Sequence, residues 1–174
     1  TPKPSSAASD VYKRQIIRRD KKVEKILDLT LTVNKSDIKS HKSIKFNIDK
    51  EAEILKIEFD YFPKVVKESE DIVYAFQNRS SNLSHEEISS LKEKFIRGEE
   101  ELKNLATLSL YSKDEYIGCA HRHLGKQTII ISSKESTAGF IKTPIKPGQW
   151  EIVISLHGVF IDNMQIFVKA FTEF

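Results

Sequence analysis

Apolar residues recur at every second position along most of this chain, the period of strands that bury one face. In "KILDLTLTV" Leu27, Leu29, Leu31 and Val33 share a side, with Asp28, Thr30 and Thr32 opposite. "SIKFNID" sets Ile44, Phe46 and Ile48 inward, and "ILKIEFDYF" does the same with Leu55, Ile57, Phe59 and Tyr61. The short link "DKEAE" between these two predicts a hairpin. Further on, "LATLSLY", "YIGCAHRH", "QTIIISS", "QWEIVISLH" and "MQIFVKAF" read as strands, separated by the turn signals "SKDE", "LGK", "KPGQ" and "IDN". Trp150, Ile152, Ile154 and Leu156 fall on one face, and the tryptophan is expected to anchor the core.

One segment breaks the period. In "SHEEISSLKEKFIRGEEELK" Ser84 is followed three positions later by Glu87, a capping box, and Ile88, Leu91, Phe95 and Leu102 follow at helical spacing. This predicts an amphipathic helix over about residues 84–104 lying on a sheet, with Gly98 as a point of division. "DIVYAF" at 71–76 belongs to the same inserted region, its type left open. About eight strands with one helical insertion predict an all-β fold, an antiparallel β-sandwich of jelly-roll type. Residues 25–174 are expected to form that single domain behind a lead-in at 1–24.

Charge adds little. The chain of 174 residues carries a net +3, but Lys3, Lys13 and Arg14 against Asp10 lie in the first fifteen, and the rest holds 25 basic and 24 acidic residues, a net of +1. "RRDKKVEK" at 18–25 lacks aromatic interleaving and is interrupted by Asp20 and Glu24, so no nucleic-acid partner is expected. Without an apolar run of about 18 residues no membrane span is expected either. A single cysteine, Cys119, suits a reducing compartment, and the cytoplasm is the expected location.

Candidate chemistry gathers in "GCAHRH". On a strand, Cys119, His121 and His123 would point one way at steps of roughly 6.6 Å, and His157 lies opposite Trp150 on its own strand. His121, Arg122, His123 and His157 are therefore the candidate ligand-binding groove. Their expected role is polar and hydrogen-bonding, with no metal site and no catalytic residue assigned. Cys119 paired with a histidine base is a weaker candidate, because neighbours along one strand seldom form such a pair. The chain has no phosphate-binding glycine loop and no G-x-S-x-G elbow.

The stretch "LSLYSKDEYIG" followed by "STAGFIKTPIKPGQW" resembles the N-terminal β-sandwich of PHP-type (polymerase and histidinol phosphatase) metal-dependent hydrolases, in their carbaryl-hydrolase-like branch. Gly118, Thr137, Gly139, Phe140, Ile145, Pro147, Gly148 and Trp150 match that family's pattern "L-x-L-x-D-P-x-G … A-T-P-G-Y-x-x-G-x-I-x-P-G-x-W". Thr143 stands where the family has glycine and Ala138 where it has proline. The match is good over residues 105–160 and loose over 40–174. It implies a non-catalytic accessory domain that packs against a catalytic PHP domain. That domain, with its "D-x-H-x-H" stretch and its divalent metal, is expected outside this chain. No cofactor is expected in this one, and the oligomeric state stays open. "HRH" at 121–123 lacks the leading aspartate of that stretch. The alternative is a free-standing, lectin-like ligand-binding sandwich. Residues 5–15, "SSAASDVYKRQ", resemble the translation of a sequencing-adapter remnant, and residues 1 to about 20 are expected to pack against nothing.

Overall fold

The chain is described by a computed structural model covering residues 22–77, 84–121 and 125–174. The period-two segments form β1 (Val23–Val33), β2 (His41–Ile48), β3 (Ile54–Phe62), β6 (Leu105–Ser112), β7 (Glu115–Ala120), β8 (Gln127–Ile131), β9 (Gly148–Gly158) and β10 (Met164–Glu173). A two-strand ribbon, β4 (Val65–Val66) with β5 (Leu102–Lys103), two α-helices, α1 (Ser69–Gln77) and α2 (His85–Ile96), and one 3-10 turn after β1 (Lys35–Asp37) complete the described elements.

Eight strands divide into two four-stranded antiparallel sheets, ordered β1-β10-β3-β8 and β2-β9-β6-β7. Apart from the β6–β7 hairpin, successive strands of the sandwich cross between the sheets, and this order is that of the predicted jelly roll. The link between β2 and β3 is not a hairpin. β2 pairs with β9 in one sheet while β3 pairs with β10 and β8 in the other, so "DKEAE" carries the chain across the sandwich. Alternation says which face of each strand is apolar, not which strand lies beside it.

Those apolar faces meet in one core. Leu55, Ile57, Phe59 and Tyr61 of β3 and Ile166, Val168 and Ala170 of β10 face Leu108 and Leu110 of β6 and Trp150, Ile152 and Ile154 of β9, all buried. Each large side chain so buried contributes about 1.5–3 kcal/mol. Asn104 is also fully buried, and its groups are satisfied: Nδ2 donates to the Pro63 carbonyl, Oδ1 accepts from Phe160 N–H, and its carbonyl accepts from the Tyr61 hydroxyl. Between β6 and β7 the turn residues Lys113 and Asp114 both have positive φ, which suits the right-handed twist of a tight hairpin.

Two boundaries differ from expectation. β1 starts at Val23 and pairs Val23 with Glu173 and Glu24 with Thr172, so the sandwich begins earlier than residue 25. The stretch 5–15, with Val11 and Tyr12, lies outside the described residues. The insertion is wider than predicted, because β4 and β5 pair at its base and everything between them leaves and returns at one place. "DIVYAF" is helical, as most of α1.

Helix α2 begins as its capping box predicts: Ser84 Oγ accepts from Glu87 N–H at 3.3 Å, and Glu87 Oε2 accepts from Ser84 N–H at 2.8 Å. It stops at Ile96 rather than continuing to 104. Gly98 takes φ +74°, its N–H donates to Phe95 O, and Glu99 N–H donates to Lys94 O, a left-handed C-cap that ends the helix and releases Leu102 into β5. Its apolar side does not bury itself on a sheet. Phe95 meets Phe76 of α1 with ring centroids 5.6 Å apart, and no residue of α2 is buried. Among the described residues, no helix is long and apolar enough to cross a membrane.

Candidate functional site

Because one face of β9 is apolar, its other residues must point outward, and they do so onto a floor of small side chains. Strand register lines up His41, Ser155 and Thr107 in one row across β2, β9 and β6. The next row is Ser43, Val153, Ser109 and Cys119, and the one beyond it Lys45, Glu151, Tyr111 and Tyr116. The outer face of this second sheet is therefore low in the middle and bounded by imidazoles at one end and phenols at the other.

The histidine end is ordered by hydroxyls. His157 Nε2 and Thr107 Oγ1 share a hydrogen bond at 3.0 Å, and Thr107 is buried beneath the ring. His41 Nδ1 and Ser155 Oγ share another at 2.9 Å. His121, just past β7, meets His157 edge-on with ring centroids 5.5 Å apart. Partial burial, followed by repulsion from His121 and then His41, holds His157 below the ordinary imidazole range. The ring is thereby kept neutral near pH 7 and able to accept as well as donate hydrogen bonds.

At the other end the Tyr116 hydroxyl is pushed up to about 12, chiefly by its hydrogen bond with Cys119, then by burial and by the charges of Cys119 and Tyr111. Tyr111 and Tyr116 meet edge-on with centroids 5.4 Å apart. Cys119 is half-buried, and the bond that shapes its surroundings is to a phenol.

Of the four sequence candidates, His121 and His157 come together, while Arg122 and His123 lie outside the described residues. His41 is the addition that sequence reasoning missed. Its place opposite Ile44, Phe46 and Ile48 in the β2 alternation marked it as outward-facing, but only the pairing of β2 with β9 brings it near His157. Among the described residues, no group of three or more His, Cys, Asp or Glu side chains is arranged to hold a metal ion.

The residues carrying the family resemblance form a separate assembly. Gly118, at φ +148°, bridges Phe140, and a Cβ on it would run into the Gly139 carbonyl and the Phe140 backbone. Gly139 has φ +97°, and a Cβ there would lie 2.6 Å from Cys119 O. Cys119 N–H donates to Gly139 O at 3.0 Å and Ile141 N–H to Ile117 O at 2.7 Å, so the segment after β8 is stitched to the edge of β7. Only glycine permits backbones to approach so closely in this conformation. Thr137 clasps Ile130 by two hydrogen bonds, its N–H donating to the carbonyl and its Oγ1 accepting from the N–H, both at 2.8 Å. Phe140, Ile145 and Trp150 are buried, and Trp150 Nε1 donates to Lys146 O at 3.3 Å.

Fold and surface together define a jelly-roll β-sandwich with a polar, histidine-bearing outer face. No family model, no curated protein and no solved structure matches the chain.

Proposed function

We propose that this sandwich is the non-catalytic accessory domain of a PHP-type metallohydrolase and packs against a catalytic domain outside the chain. The observation behind this reading is the seam of Gly118 and Gly139. The matched residues are not scattered: Gly118, Thr137, Gly139, Phe140, Ile145 and Trp150 hold one connection against the edge of β7 and the core beneath it. A pattern built of such residues transmits a shape, which is what an accessory domain contributes. The divalent metal belongs to the partner domain, and no residue of this chain is assigned to it. The cytoplasm, where the thiol of Cys119 stays reduced, goes with this reading.

The test is the coding sequence beyond the codon for Phe174. An in-frame continuation encoding "D-x-H-x-H" after a further strand is expected, and a stop codon there would overturn the proposal. A biochemical arm is independent. The purified chain should not turn over phosphoesters, and turnover that survives repurification but disappears in His121→Ala and His157→Ala would equally overturn it.

A second reading is favoured by one observation, the low polar floor of Ser43, Ser109, Thr107 and Ser155 between His157 and Tyr116. Such a floor suits a lectin-like module. A saccharide that raises the melting temperature in a screen would support this reading over the first, since a domain without a sugar site gains nothing from ligand.

A further inference from the structure

We propose that the corner formed by His41, His121 and His157 binds a small phosphate-type oxyanion when its imidazoles are protonated. The inference does not depend on a catalytic partner and rests on how the corner is built. His157 of β9 stands between two other rings, His121 at the end of β7, which it meets edge-on, and His41 of β2, and His41 and His157 each have one nitrogen fixed, by Ser155 and Thr107. The remaining nitrogens, Nε2 of His41 and Nδ1 of His157, have no hydrogen-bond partner among the described residues and are free to face a ligand.

Among the described residues, nothing pairs with the charge such rings acquire. Of the acids on adjoining elements, Glu151 of β9 accepts the hydroxyl of Ser43, Asp37 of the turn after β1 holds Lys42 at 2.6 Å, and Glu115 lies at the far end of β7, opposite Ser112. From β6 the corner meets Thr107 and Ser109, and from β7 Cys119, none of them acidic. The turn bearing Lys39 runs beside the corner, its N–H donating to Leu156 O at 2.7 Å. No carboxylate pairs with any of the three rings among the described residues. Among the described residues a protonated corner therefore lacks an internal counter-ion, while Ser155 and Thr107 hold the rings that would meet one from outside. Anion and protons then bind together, each raising the affinity for the other by the same factor. A divalent cation would instead compete with protons.

Ring-proton NMR of the histidines across about pH 5 to 8 tests this, with tens of millimolar inorganic phosphate or with sodium chloride at equal ionic strength. In phosphate the His157 midpoint is expected to rise by about one pH unit, a tenfold coupling. The rise should shrink severalfold in His41→Gln and in His121→Gln. Both positions are exposed, and matching melting curves would verify folding. An unmoved midpoint, or an equal movement in chloride, would overturn the proposal. So would displacement of the protons by stoichiometric Zn²⁺ without any response to phosphate. Pelleting with phosphatidic acid vesicles despite saturating phosphate would move the site to a lipid headgroup and overturn the small-ion assignment.

Discussion

The glycine seam and the histidine corner sit on the same short stretch of chain, since Gly118 and His121 are three residues apart, yet they are governed by opposite physics. At the seam two backbones touch, both glycines are at positive φ, and any side chain collides. At the corner exposed rings are held by two hydrogen bonds to hydroxyls. The difference separates the residues that carry the resemblance from those proposed to meet a ligand. The resemblance follows the residues that shape the sandwich, and none of its matched residues lies among the three imidazoles. A likeness resting on the seam therefore says nothing about what the corner binds.

The largest effect that can test this contrast is at Trp150, the bulkiest fully buried side chain of the matched set. Trp150→Ala is expected to cost about 3–5 kcal/mol in urea unfolding, whereas His121→Ala should leave the midpoint where it is. A small loss at Trp150 would separate the resemblance from the core. Next comes Gly118→Ala, where a positive φ and a clash with the Gly139 carbonyl act together. About 2–3 kcal/mol is expected, and a neutral result would mean that the segment after β8 is not stitched to β7 as described. Third, Gly118→Ala and Gly139→Ala disturb one contact, so their combined cost should fall short of the sum by about 0.5–1 kcal/mol. Strict additivity in a double-mutant cycle would show two independent sites.

The smallest effect belongs to the corner. His157 titrates lower in the folded chain than its ordinary value of 6.5, so the unfolded chain binds the extra proton first. Stability carried by the neutral ring is therefore complete above 6.5 and is lost as pH falls through the lower folded value. Thermal melts should show a shallow decline as pH falls from about 6.5 toward that lower value and none below it, flattened in His157→Gln. The slope is small because the ring is solvent-exposed and screened. A decline that the substitution leaves unchanged would assign it to other groups.

Much of the sandwich was legible in the residues. Leu55, Ile57, Phe59 and Tyr61, like Trp150, Ile152, Ile154 and Leu156, alternate so regularly that their burial follows from the two-residue period of a strand. Ser84 and Glu87 announced the start of α2, because a capping box is made by neighbours. The end of α2 was harder to read. Gly98 marked a weak point, but Leu102 fitted both helical spacing and a strand, and its pairing with Val66 decided the matter.

What the sequence determined by itself was local: which face of each strand is apolar, where a helix is capped, where Lys113 and Asp114 can turn. What only the tertiary structure decided was company. It sent β2 and β3 to opposite sheets, set Gly118 against Gly139, and brought His41 and His121 to either side of His157. Periodicity arises within a few residues of backbone geometry, whereas strand partnership is settled by how two whole sheets pack their apolar faces together. No short stretch of residues records that packing.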